Sequence, residues 1–327
     1  MNDPARRARL NAIKLTALVR DHLGGSPVLV PDEFSGGAAL HRGEHAWVLL
    51  DQRPEHGLGA ALGWALRRGA TELHIVAESA TGLLARRAAG FSLPITVWHA
   101  EGRTLAPAVA EPLTPSAEAP AHHLQFVDTI VASGAIAAVE HGVLSGEVEG
   151  LEVCRVVDDR YTGEVRLEVG VGAHDRDAFQ MMHGNRPTAE ALAVVVDAVV
   201  AHRRPLDASH PLGRLAHERA LRSRIVASPS LVGATEVRVV PPPVPRQNLK
   251  DPVPCLAIAL VDGEAVLVVC STGVDLDVVP FAVDARLALG IERCIIVMPA
   301  RDRVAVQVLL AAAARPAVDI LSEGSTP

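Results

Sequence analysis

The sequence is poor in the residues that most often anchor metals, disulfides or membranes. Its 327 residues hold four cysteines, Cys154, Cys255, Cys270 and Cys294, widely spaced and without a C-x-x-C pair. Neither a disulfide framework nor a cysteine zinc site is therefore expected. With no secretory leader pattern ahead of Pro4, the expected location is a reducing cytoplasm. No uncharged apolar run approaches the roughly 18 residues of a membrane span, so no membrane partner is expected. Aromatic residues make up 3% and Tyr161 is the sole tyrosine, which argues against base stacking on single-stranded nucleic acid. Of 31 basic residues only Lys14 and Lys250 are lysines, so a mechanism that requires a lysine has two candidates. G-x-G-x-x-G, Walker A, G-x-S-x-G and H-E-x-x-H patterns are all missing, which removes the usual sequence support for dinucleotide, P-loop, serine-hydrolase and zinc-hydrolase chemistry. The net charge of −7 excludes a global positive field, and nucleic acid could be met only through a local basic patch such as residues 6–9 or 82–87.

What remains has the composition of a folded protein, with 49% hydrophobic and 21% charged residues in a chain long enough for two or three domains. Residues 1–23 carry apolar side chains at helical spacing, closed by Gly24-Gly25. Short apolar runs bounded by Gly and Pro then alternate with helical segments, giving the order α, β, β, β, α, β, α, β over 1–104. Residues 105–123 form a Pro/Ala-rich linker in which Pro107, Pro112, Pro115 and Pro120 are expected to prevent regular structure. Residues 124–205 read as a smaller α+β module: a helix through Gly142, a hairpin over 150–172, a short helix near 176–184 and a long helix from Thr188. Residues 206–327 repeat the element order of the first region at an offset of about 220 residues, which predicts a second, duplicated lobe. The fold class expected is α/β, with two mixed-sheet lobes flanking the middle module. Strands such as HAWVLLD and AVLVVC are apolar throughout, as central strands covered on both faces must be.

The order αβββαβ, met in both the first and last thirds, resembles the restriction-endonuclease-like, or PD-(D/E)XK, superfamily. That resemblance implies a Mg²⁺-dependent phosphodiesterase site built from two acids and a lysine. Asp32 and Asp51 are the implied metal ligands, and Arg53 stands where the lysine is expected; an arginine is a poor proton-transfer partner. In the last third the matching positions are Val239 or Val240 and Cys270, so no acid pair is expected there. The whole chain also resembles conserved actinobacterial proteins, a likeness that implies no mechanism.

The central module supplies a second candidate. If strands 151–157 and 165–171 pair, alternation puts Glu152, Cys154 and Glu168 on one face, and Glu140 from the preceding helix would complete an oxygen-rich site for Mg²⁺ or Mn²⁺. His174 would serve as general acid or base, and Asp175 would cap a helix. The alternative for these acids is a solvated hairpin face. Asp51, Glu78 and Ser79 fall at the ends of parallel strands, where α/β sheets bind ligands. Around Arg246, Asn248 and Lys250, prolines preset an extended strap or a rigid connector. The expected function is a non-catalytic or regulatory protein that uses a degenerate endonuclease-like scaffold to bind an unknown protein or small-molecule ligand and requires no cofactor. The alternatives are a Mg²⁺-dependent nuclease and a nucleotide or small-ligand sensor.

Overall fold

The structure, a computed structural model, describes residues 3–159, 162–172, 176, 188–203, 211–244 and 253–323. In chain order the first third contains α1 (Pro4–Leu23), β1 (Val30–Asp32), β2 (Gly37–Arg42), β3 (His45–Leu50), α2 (Leu58–Arg67), β4 (Glu72–Ala77), α3 (Thr81–Ala88), β5 (Ile95–Glu101) and β6 (Thr104–Pro107). These strands form one sheet in the order β1-β2-β3-β4-β5-β6, with β3, β4 and β5 parallel and every other pairing antiparallel. The middle holds α4 (Val127–Ala132), β7 (Ile136–Glu140), β8 (Val143–Val148), β9 (Leu151–Asp158), β10 (Val165–Val169) and α5 (Thr188–Arg203), the strands forming an antiparallel meander. The last third contains α6 (His217–Ala227), β11 (Glu236–Val240), β12 (Cys255–Val261), β13 (Glu264–Cys270), α7 (Val278–Leu289), β14 (Cys294–Pro299), α8 (Ala305–Ala313) and β15 (Asp319–Glu323). Its sheet runs β11-β12-β13-β14-β15, with an antiparallel β11-β12-β13 meander and β13 parallel to β14. The expected α/β class and element order are present, and no described helix is long and apolar enough to cross a membrane.

Two local expectations need correction. The segment through Gly142 is not one helix. It is a short helix that ends at Gly134 (φ 87°), followed by β7, so Glu140 sits on a strand. The β7–β8 turn at His141-Gly142 has positive φ at both positions, the geometry that joins twisted antiparallel strands. The proline-rich stretch also begins in a strand, because Pro107 ends the edge strand β6, where its missing N–H breaks no ladder.

The chain folds into two compact units, one of residues 1–113, 274–290 and 303–320, the other of 114–273, 291–302 and 321–327. The sequence segment 206–327, expected as one lobe, contributes to both. In the first unit Leu15, Leu18 and Val19 of α1 pack on Ala38, Leu40, Trp47 and Leu49. Each fully buried aliphatic side chain of this kind contributes about 1.5–3 kcal/mol. Helices α2 and α3 lie against α7 and α8, and glycines set the approach. A Cβ at Gly59 would stand 2.2 Å from the Leu276 carbonyl oxygen, and one at Gly90 2.1 Å from Val283 Cγ1. Buried Asp284 of α7 accepts from Arg86 Nε at 2.7 Å and Arg87 Nε at 3.3 Å, neutralising charges that burial would otherwise penalise.

In the second unit the middle sheet packs Leu144, Leu151, Val156 and Leu167 against Leu192, Val196 and Val199 of α5. The last sheet packs Val237, Ala257, Val268 and Val297 against Leu221 and Ile225 of α6. All four cysteines are buried and belong to this unit. Burial pushes the Cys154 thiol up to about 12 and raises that of Cys270 as well.

Candidate functional site

The ends of the parallel strands in the first unit gather a partly exposed polar cluster. Leu50 and Ala77 are register partners, so Asp51 and Glu78 leave adjacent strands side by side. Along α1, Arg7, Asn11 and Lys14 recur at i, i+4 and i+7 on one helix face and pass over these strand ends. Arg7 Nε donates to Asp51 Oδ2 at 2.6 Å, Asn11 Nδ2 donates to the same oxygen at 2.9 Å, and Lys14 Nζ pairs with Glu78 Oε1 at 2.6 Å. The hydrogen bond from Arg7 holds the Asp51 carboxyl below the usual carboxylate range, against the desolvation that would raise it. Side chains are 41% exposed at Arg7 and 61% at Glu78, so these pairs add at most about 1 kcal/mol each to stability. Ser79 follows and is exposed. Asp51 and Glu78 were legible as strand-end acids. Their helix partners were not: Arg7 falls in a basic run that reads as a solvated face, and Lys14 was marked only by its rarity.

Asp32 does not join this cluster. Cross-strand pairing puts it on the face of Ala39 and Val48, whereas Asp51 continues the face of Leu49 and Ala38 and meets α1. On its own side Asp32 accepts from Trp64 Nε1 at 3.1 Å and pairs with Arg68, whose guanidinium lies 5.0 Å from the Trp64 ring centroid. Arg53 takes a left-handed backbone conformation (φ 48°) just before the turn Pro54–His56. The Mg²⁺ site implied by the endonuclease resemblance therefore does not fit these residues: its two acids lie on opposite faces of the sheet, each holding its own cation.

The central acids divide in a similar way. Glu140 shares two arginines of α6 with Glu147. Arg222 donates to Glu140 Oε1 at 2.9 Å and to Glu147 Oε2 at 2.8 Å, while Arg219 meets Glu147 Oε1 at 2.8 Å and Glu140 Oε2. Burial opposes the Arg222 charge most strongly, but the surrounding carboxylates outweigh it and raise its pKa. Gly150 allows this docking, since a Cβ there would lie 2.3 Å from the Ala220 nitrogen. Glu152 and Glu168 do share a face, though Cys154 does not share it. A register shift at Gly146/Glu147 rephases β9, so Cys154 enters the core while Glu152 turns outward toward Arg155. Arg176 bridges the two acids, with Nη1 3.0 Å from Glu152 and Nε 3.6 Å from Glu168. His174 and Asp175 lie outside the described residues, as do Arg246, Asn248 and Lys250.

Two histidine clusters come together only in the fold: His45 and His74 lack metal-ligand spacing in the sequence and read there as surface or packing residues, and His122 and His123 close the Pro-rich segment. Among the described residues, His45, Glu72 and His74, and separately His122, His123 and Asp158, bring three potential ligand atoms within 4.8 Å of one another. His45 and Glu72 are register partners on β3 and β4, and Glu72 stands 3.0 Å from His45 Nδ1 and 3.5 Å from His74 Nε2. His74 stacks on Trp47 at 3.9 Å between centroids, and Trp98 Nε1 donates to its Nδ1 at 3.3 Å. A neutral imidazole has one N–H. With Nδ1 accepting, that proton sits on Nε2 and faces Glu72, so the lone pair a cation would need is occupied. Burial lowers the His74 pKa to about 4, which keeps the ring neutral and this chain intact.

Asp275, Asp277 and His56 form a third group without a sequence signal. Asp277 accepts the Gly59 N–H at 3.0 Å, near the start of α2, and burial pushes its carboxyl up to about 7. Burial also raises Asp275 and lowers His56. No protein-family model matches the chain, and neither curated proteins nor solved structures give a match.

Proposed function

We propose that this is a non-catalytic or regulatory binding protein, built on an endonuclease-like scaffold whose acidic positions now serve internal ion pairs. One observation carries the reading. Asp51, the acid best placed at the strand ends, already receives Arg7 and Asn11 on one oxygen, and Asp32 lies across the sheet. Hydrolysing a phosphodiester with Mg²⁺ needs acids that converge on one cation and stabilise both the attacking and leaving oxygens. The common strand order and pairing of β1–β4 and β11–β14 supports the further idea that the two regions are copies. A partner or ligand would meet the open strand ends, where Lys14, Asn11, Arg7, Asp51 and Glu78 present mixed charge.

The nuclease reading keeps one specific point in its favour: Lys14, one of two lysines in the chain, stands 2.6 Å from Glu78, beside Asp51. Calorimetric titration of the full chain with Mg²⁺ and Mn²⁺, run beside a cleavage assay on single- and double-stranded DNA and RNA, separates the two. The binding-protein reading expects neither metal-linked heat nor cleavage, and equal behaviour from Asp51→Ala and Glu152→Ala. Metal-dependent cleavage abolished by Asp51→Ala or Lys14→Met would establish the nuclease instead. Stabilisation by a nucleotide without turnover would identify the ligand class.

A further inference from the structure

The Pro-rich segment ends in a turn at residues 121–123, in which the His123 N–H reaches the Pro120 carbonyl at 2.8 Å. This turn aims two consecutive histidines at Asp158, the last residue of β9. His122 Nε2 lies 3.0 Å and His123 Nε2 3.2 Å from the same oxygen, Oδ1, with the two rings edge to face at 4.7 Å. Bonds of about 2.0–2.1 Å to a tetrahedral cation separate ligand atoms by about 3.3 Å, close to the two imidazole–carboxylate separations, and all three ligand atoms lie within 4.8 Å of one another.

A pair of ordinary hydrogen bonds would show similar distances, so the proton on His123 matters. Its side chain is 7% exposed, and its Nδ1 is buried with no hydrogen-bond partner among the described residues. Asp158 is a carboxylate and can only accept, so its contact places the ring proton on Nε2. A cation would replace that single hydrogen bond, and the proton can then move to Nδ1 without displacing any other partner, leaving the Nε2 lone pair directed at the cluster. His74 differs at this point, because the Trp98 indole N–H occupies its Nδ1 and the ring proton cannot move there. The exposed side chains of His122 (55%) and Asp158 (52%) leave one side of the cluster open to solvent.

We propose that His122, His123 and Asp158 bind a zinc-class divalent cation through two imidazole nitrogens and one carboxylate oxygen, with a fourth position open to water or to a ligand from a partner. Imidazole donors favour zinc, nickel or copper over Mg²⁺. The bound ion would fasten the end of the Pro-rich segment to β9, and this holds whether or not the strand-end site binds anything.

The test is calorimetric titration of the chelator-stripped full chain with ZnCl₂ and, separately, MgCl₂. One zinc per chain and no Mg²⁺ binding are expected. His122→Ala and Asp158→Ala both alter exposed side chains, and each should weaken zinc at least about tenfold, as loss of a metal-site residue commonly does. His45→Ala should leave zinc binding unchanged, and circular dichroism confirms that each variant is folded. Absence of zinc binding, or binding unaltered in both His122→Ala and Asp158→Ala, would overturn the proposal.

Discussion

The regions β1–β4 and β11–β14 share strand order and pairing but differ at the positions where chemistry would sit. Counting from the hairpin turns, Asp32 corresponds to Arg238, Asp51 to Cys270 and Glu78 to Val297. The pairing therefore shifts the expected counterpart of Asp32 from Val239 or Val240 to Arg238. The helices that open the two regions differ as well. Helix α1 offers Arg7 and Lys14 to half-exposed acids at its own strand ends, whereas α6 sends Arg219 and Arg222 to Glu140 and Glu147 of the middle sheet. One arrangement of strands thus supports an open polar surface in one place and a dry structural joint in another, and side-chain identity alone decides between them.

Breaking the buried joint should have the largest effect. Arg222→Met leaves Glu140 and Glu147 short of a cation, and such a loss costs about 3–5 kcal/mol. Urea denaturation should show that drop, and an unchanged midpoint would mean the quartet contributes no net stability. Next comes Asp277, whose carboxyl is raised from an ordinary 3.8 to about 7 in the folded protein. Between these values the native state binds more protons than the unfolded chain, so stability falls as pH rises. The shift corresponds to roughly 4 kcal/mol, and the gap between parent and Asp277→Asn should change by that amount from pH 4 to 7. His74 acts with the opposite sign. Its pKa is lowered from 6.5 to about 4, so the unfolded chain binds more protons in that window and stability increases with pH. The gain is roughly 3 kcal/mol and should emerge most clearly in the Asp277→Asn background. The smallest effect belongs to the open strand ends, where a double-mutant cycle of Arg7→Ala and Asp51→Ala should give a coupling of about 0.5–1 kcal/mol that declines with salt. A coupling of several kcal/mol would place that pair with the buried joint and remove the contrast.

Much of the architecture was legible in the sequence, because apolar runs of strand length fall between Gly, Pro and helical segments in both outer regions. The β7 segment was not, since its Ala-rich sequence fits helix or strand and only Gly134 and Gly142 bracket it. The phase of β9 was lost to a bulge, which no alternation rule can place from one strand alone. At the strand ends the acids were visible, but Arg7 and Lys14 reach them across 44 and 64 residues, and helix periodicity reveals the buried face rather than the partners of the polar one. His122 and His123 carry no metal-ligand spacing in the sequence because they close the Pro-rich segment, and Asp158 meets them only once β9 is in place.

The location of the cysteines has a practical consequence. A thiol reacts as its anion, and Cys154 and Cys270 are both withdrawn from solvent and held protonated at neutral pH. A pulse of alkylating reagent followed by mass measurement would therefore record when one half of the molecule breathes open. The half that carries Asp51 has no sulfhydryl and would stay silent, giving a built-in, single-sided reporter that needs no engineered label.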